Sequence, residues 1–164
     1  MLARTLCIQG FADQAQREAE ACLEISGKTS DHGLICRVVY NGACPVAFLV
    51  GDLAVAEYSI ARMNEAATGL NASFWKMQGR TMEARLMIDR GEFAKGLANM
   101  RDAFAEVEHT GWPYPKFEDA FALAHAGLGQ IDKALEIINK AVTTADKRPF
   151  SSWNFPELLR VRGE

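Results

Sequence analysis

The sequence lacks most of the features that mark specialised classes of protein, and each absence removes a possibility. It has no run of about 20 uninterrupted apolar residues, so a membrane-spanning helix is not expected. No charged segment leads into an apolar one after Met1, which argues against a secretory leader. Neither sign of charge dominates: 18 basic and 21 acidic side chains leave a net charge of −3, offering no broad positive field to a phosphate backbone. Direct nucleic-acid binding is therefore disfavoured. The four cysteines, Cys7, Cys22, Cys36 and Cys44, show no CxxC spacing, so neither a disulfide framework nor a zinc site is expected. Each lies in a helical pattern where a small apolar residue suits, as for a buried reduced thiol. A cytoplasmic chain without metal or cofactor is the expectation. What remains is ordinary globular composition, 49% apolar and 24% charged over 164 residues, enough for one domain with a sizeable core.

What the sequence does contain is a repeat. Gly10, Gly51, Gly91 and Gly129 each separate two helical patterns, at a spacing of about 40 residues. Five positions after each glycine stands a small residue, Ala15, Ala56, Gly96 and Ala134, and seven further on Cys22, Met63, Ala103 and Ala141. Ala19, Ile60, Met100 and Ile138 lie between them and complete an apolar stripe at helical spacing. Seven positions before each glycine comes Ala3, Cys44, Ala84 and Ala122, the inner face of a preceding helix. Small residues on facing helices permit close approach. The pattern thus predicts four antiparallel pairs, at about 1–27, 31–69, 73–111 and 115–147, with a terminal helix at about 153–164.

A second series, Gly27, Gly69 and Gly111, falls at helix ends, where glycine adopts positive φ without strain. Asp31, Ser73 and Pro115 follow four residues later, where an N-cap or first-turn residue belongs. Pro45 breaks the pattern inside a helical segment, because it removes a donor and its ring collides with the carbonyl of Asn41. A kink, or a helix restarting near Cys44, is expected there.

Catalytic chemistry is not in view. Gly27-Lys28-Thr29-Ser30 imitates the end of a phosphate-binding loop, but Cys22 stands where its first glycine is required and a helix precedes it instead of a strand. His32, His109 and His125 have no serine or cysteine at a spacing that would pair a nucleophile with a base. Glu18/Glu20 and Glu106/Glu108 are two residues apart on helices and so face different ways.

A small residue before the turn, glycine in it and two alanine-like positions after it make the chain similar to tetratricopeptide-repeat proteins over nearly its whole length. Three stretches are more specific: Cys44-Pro45-Val46-Ala47-Phe48-Leu49 running into Gly51-Asp52-Leu53-Ala54-Val55-Ala56-Glu57, then Arg90-Gly91-Glu92, and Trp153-Asn154-Phe155-Pro156-Glu157-Leu158-Leu159-Arg160. They resemble the C-terminal tetratricopeptide region of bacterial signalling ATPases in which a winged-helix or cyclase domain precedes an AAA/STAND-type domain. The resemblance implies an all-α, right-handed superhelical solenoid acting as the sensor or partner-binding arm of a transcriptional regulator. The ATPase domain of the same polypeptide is then a possible partner, and the chain an excised domain or short relative. The ATP-binding and DNA-binding residues of that family have no counterpart here.

Projecting the repeat places Arg4, Val38, Asn41, Gln78, Thr81, Arg85, Asp89, Lys116 and Asp119 on the concave face of such a solenoid. Arg85 and Lys116 would hold a partner's carboxylate, and Asn41, Gln78 and Thr81 would supply directional hydrogen bonds. Trp75, Trp112, Tyr114 and Trp153 gather at the joints between pairs, either packing one pair on the next or forming an aromatic rim, for which Trp112 and Tyr114 are best placed. Two functions follow: a protein or peptide interaction scaffold, or a small-molecule sensing domain with a pocket near Pro45 and Arg85. Phe155, Leu158 and Leu159 would support weak self-association unless the last helix folds back.

Overall fold

The computed structural model describes residues 2–70, 72–105, 117–147 and 154–163, which are helical apart from short turns. Lys116, Trp112, Tyr114, Trp153, His109, Gly111 and Pro115 lie outside the described residues. The helices are α1 (Leu2–Ile8), α2 (Ala12–Gly27), α3 (His32–Val38), a π-helical segment (Val39–Ala43), α4 (Cys44–Val50), α5 (Leu53–Leu70), α6 (Ser73–Asp89), α7 (Phe93–Ala105), α8 (Glu118–Gly127), α9 (Ile131–Asp146) and α10 (Phe155–Gly163). The fold class is all-α.

Four turns set this order. Gly10, Gly51, Gly91 and Gly129 have φ of 90°, 75°, 83° and 74°, the left-handed region that costs a β-carbon-bearing residue dearly. Each reverses the chain so that the next helix packs on the one before it: α1 with α2, α4 with α5, α6 with α7 and α8 with α9. Packing also passes between neighbours, from α2 to α3, α5 to α6, α7 to α8 and α9 to α10.

The seam between paired helices is built from the small residues of the repeat. Ala15, Ala56, Met63, Ala84, Met100 and Ala103 are fully enclosed. At Gly96 a β-carbon would lie 2.8 Å from the Ala84 carbonyl oxygen, so only glycine lets α7 approach α6 this closely. Each large apolar side chain fully withdrawn here, such as Met63, Met100 and Ile138, contributes about 1.5–3 kcal/mol of transfer free energy.

Gly27 and Gly69 do not take the positive φ expected of C-capping glycines. Gly27 closes α2, with Lys28 following in right-handed conformation. Gly69 lies within α5 and admits the His32 ring, which would sit 2.2 Å from a β-carbon. Asp31 caps α3 as expected, its carboxylate accepting from the Leu34 amide at 3.0 Å. Ser73 is the first residue of α6, and the cap position belongs to Ala72, which makes no side-chain capping bond. Cys36 and Cys44 are buried, but Cys7 is half-buried and Cys22 exposed, because α2 turns the latter outward at the end of the apolar stripe.

Pro45 has the consequence its chemistry demands. Helix α3 widens to a π-turn over Val39–Ala43, and the Cys44 amide donates to the Val39 carbonyl five residues back. The extra residue in the turn moves the Asn41 carbonyl off the proline ring, and α4 restarts with Pro45 in its first turn. The combined span His32–Val50 is 19 residues long and apolar enough to cross a membrane by length and composition. Half of it is buried inside the fold, where Ile35, Cys36, Val39, Cys44 and Ala47 pack with Ala56, Ile60 and Met63 of α5.

Candidate functional site

Helix α6 places Thr81, Arg85 and Asp89 on one face by their i, i+4 spacing. Arg85 is 7% exposed and forms the centre of the site. Its Nε donates to both carboxylate oxygens of Asp89, at 3.0 and 2.9 Å, from the same helix. Its Nη1 donates to Asp119, in the first turn of α8, and its Nη2 lies 3.5 Å from Glu157 of α10. The guanidinium also lies 5.4 Å from the centroid of the Phe48 ring of α4, a cation–π distance. One side chain therefore ties three helices together and touches a fourth.

The electrostatics of the cluster are unequal. Burial works against the charge of Arg85, and the adjoining Asp119 and Asp89 carboxylates more than offset it, holding the guanidinium firmly protonated. Burial likewise pushes Asp89 up, Arg85 only partly reverses this, and Asp119 and Glu157 add repulsion. Burial acts on Glu157 in the same direction, but the Arg160 hydrogen bonds at 2.7 and 2.8 Å, together with Arg85, outweigh it and hold its carboxyl below the usual glutamate value. Three carboxylates face two guanidinium groups, one negative charge in excess.

Over this cluster opens a cleft of about 810 Å³. Phe48 and Leu49 of α4, Phe93 at the start of α7 and Leu123 of α8 give it apolar walls, while Arg85, Asp89, Glu157 and Arg160 give it a charged floor. Arg90 stands at the edge, paired to Glu57 at 2.8 Å on an exposed surface.

Of the residues expected on a concave face, Arg85, Asp89 and Asp119 are brought together. Arg85 is not free to hold a partner's carboxylate as expected, since carboxylates of this chain already occupy it. Gln78 and Thr81 are buried, at 1% and 0% exposure, and do not line the cleft. Thr81 gives its hydroxyl to the Met77 carbonyl at 2.7 Å, one turn back on its own helix, and so is not a donor to a ligand. Asn41 donates to the Arg37 carbonyl at 3.0 Å and belongs, with Val38, to a separate hollow of about 280 Å³ beside α1 and α2. Arg4 is half-buried near Tyr40, and burial lowers its pKa. Trp75 packs in an aromatic cluster, with ring centroids 5.9 Å from Tyr40 and 4.9 Å from Phe74, which is joint packing and not an open rim.

The floor residues that the repeat projection missed are Arg160 and, at the centre of the cluster, Glu157. Both lie beyond the last complete pair, where that projection ends, although the stretch Phe155-Pro156-Glu157 was distinctive in sequence. Phe48 and Leu123 were missed as cleft walls because the projection selected polar side chains. Helix α10 does fold back, packing on α8 and α9 with Leu158 at 2% exposure, which removes that residue as a basis for self-association. Among the described residues no group of three or more histidine, cysteine or acidic side chains is arranged to hold a metal ion.

No protein-family model, curated protein or solved structure matches the chain.

Proposed function

We propose that this chain is a non-catalytic interaction scaffold, a right-handed stack of tetratricopeptide-type hairpins whose cleft takes a segment of a partner protein. The succession of neighbour-to-neighbour helix packing and the four left-handed glycines support the stacked-hairpin reading. The observation that carries the function is the cleft itself: apolar walls contributed by α4, α7 and α8 around a fixed charged floor. Pre-ordered side chains lower the entropy lost on binding, and Arg85, Asp89 and Asp119 are already held by one another.

The floor itself carries two carboxylates and two guanidinium groups, but Asp119 buried beneath it leaves the cluster one negative charge in excess, and that excess favours a basic partner. A basic side chain flanked by apolar residues would pair with the Asp89 carboxylate, whose side chain is 16% exposed, and lay its hydrocarbon stem on Phe48 and Phe93. In the wider reading, the module is the partner-binding arm of an ATPase-type transcriptional regulator in the cytoplasm, and the basic segment belongs to another domain of that assembly.

Fluorescence anisotropy with three short peptide sets, basic-apolar, acidic-apolar and neutral-apolar, tests this. Basic-apolar peptides are expected to bind at least tenfold more tightly than acidic ones, and Asp89→Asn to reduce that preference. Equal affinity across the sets, or a preference for acidic peptides, would contradict it.

A further inference from the structure

Helix α10 keeps the register of the helices that open each pair. Arg162-Gly163-Glu164 has the same residues as Arg90-Gly91-Glu92, which follow α6, so Gly163 aligns with the four turn glycines. Burial agrees with that alignment. Nine and five residues before the glycine stand Met82 and Leu86, then Ala120 and Ala124, and now Asn154 and Leu158, all six buried. These positions face the helix before: Met82 and Leu86 pack with Ile60 and Met63 of α5, Ala120 and Ala124 with Leu97 and Met100 of α7. Leu158 likewise packs with Ile138 and Val142 of α9.

The other side of α10 departs from the pattern. Seven residues before the glycine, Ala3, Cys44, Ala84 and Ala122 are at most 4% exposed, within pairs whose second helix packs on the first. Four residues before it, Ala47 and His125 are buried and Leu6 and Met87 half-buried. On α10 the same two positions are Pro156 and Leu159, and both are exposed, Leu159 at 39%. Helix α10 packs on α8 and α9, and among the described residues no second helix covers this face.

The four seams inside the chain specify what fits there. Each second helix brings a small residue, Ala15, Ala56, Gly96 or Ala134, five positions after its glycine. At Gly96 a β-carbon would already lie 2.8 Å from the Ala84 carbonyl oxygen, so the approach tolerates little bulk. The margin of the open face is basic. Arg162 is exposed and forms no ion pair among the described residues, and the Arg160 side chain, though paired with Glu157, is 50% exposed.

We infer that the exposed face of α10 docks a helix of a partner protein that has alanine-sized contact residues and acidic flanks. Such a helix makes a fifth seam in trans, its small residues admitting Pro156 and Leu159 and its carboxylates meeting Arg162. The inference rests on the stacked-hairpin part of the proposed function. It does not rest on the cleft, which takes a basic segment.

The test is a titration of the full isotope-labelled chain with end-blocked peptides, followed by amide chemical shifts. Helix α2 supplies the probe, because it carries Ala15 and Ala19 on its seam and four carboxylates, Asp13, Glu18, Glu20 and Glu24, against Arg17. The peptide Ala12–Gly27 with Cys22→Ala is expected to give saturable shifts concentrated at residues 155–163. Adding Ala15→Leu should weaken it at least fivefold, since leucine keeps helix propensity but blocks close approach. In the protein, Leu159→Glu and Arg162→Glu should each weaken it at least tenfold and leave binding of basic-apolar peptides in the cleft unchanged. No saturable shifts at residues 155–163, or equal affinity for the Ala15→Leu peptide, would overturn the inference. Shifts confined to residues 2–27 would also overturn it, as exchange with the chain's own α2, and so would a sedimenting dimer abolished by Leu159→Glu, which assigns the face to a second copy. The denaturant midpoint of Gly96→Ala separates the two levels: a lowered midpoint without peptide binding removes this inference alone, and an unchanged midpoint removes the stacked-hairpin reading beneath it.

Discussion

Arg85 and Glu157 stand 72 residues apart in the chain and 3.5 Å apart in the fold, Nη2 to Oε1, with side chains 8% and 12% exposed. The pair attaches the last helix to the body of the molecule and closes one side of the cleft. Removing the guanidinium leaves Asp89, Asp119 and Glu157 to repel one another in a buried space. Arg85→Gln is therefore expected to cost about 3–5 kcal/mol, a fall in melting temperature of roughly 10 °C or more. Thermal unfolding followed by circular dichroism measures it, and a change of a degree or two would show that the cluster contributes little.

Titration of the same carboxylates gives a second prediction, with two opposite signs. Glu157 is held below its ordinary value, so the stability it contributes is present at neutral pH and is lost as pH falls below about 4.3, through its lower native value. Asp89 is held above its ordinary value, so its contribution runs the other way: stability rises as pH falls from neutral toward about 3.9. Glu157→Gln should flatten the acid limb of a stability profile, and Asp89→Asn should flatten the decline above it. Melting temperatures from pH 3 to pH 7 separate the two, and identical effects of both substitutions would contradict the assigned directions.

The close contact of α6 and α7 is tested by a pair of glycines. A β-carbon at Gly96 would meet the Ile88 side chain at 2.6 Å and the Ala84 carbonyl oxygen at 2.8 Å, whereas one at Gly27 meets nothing within 4 Å. Gly96→Ala should cost about 1–3 kcal/mol through overpacking, and Gly27→Ala should be neutral or slightly stabilising. Denaturant midpoints report the difference, and equal midpoints would argue against the seam.

Thiol reactivity gives a fourth. Cys22 is exposed, while Cys36 and Cys44 are buried and burial pushes both thiols up. In the native protein Cys22 should react first with a thiol reagent, and Cys36 and Cys44 only when the chain unfolds. Fast labelling of Cys44 in native protein would contradict the packing of α4.

The turns and seams were legible in the sequence because glycine in a left-handed turn and alanine at a helix crossing are requirements of local geometry, recorded at fixed intervals. The four glycines of the repeat are the positive-φ glycines of the described residues. Pro45 was legible for the same reason, since its steric demand falls on one carbonyl four residues away. The site was legible only in part. Arg85, Asp89 and Asp119 follow from the helical face they share or adjoin, but no periodicity reveals that they would bind one another before binding anything else. Thr81 illustrates the limit: on a helical wheel it faces a groove, yet its hydroxyl bonds to the preceding turn of its own helix. Glu157 lies beyond the four complete pairs, and only the folding back of α10 brings it to Arg85.

The most direct test of the cleft is to saturate isotope-labelled protein with the tightest of the basic-apolar peptides and map the perturbed amides. Changes concentrated at residues 48–51, 53, 85, 88–91, 93, 123, 157 and 160 are the predicted result, since these line the cleft. Perturbations confined to other faces, or none at any peptide concentration, would contradict the assignment of this cleft as the binding site.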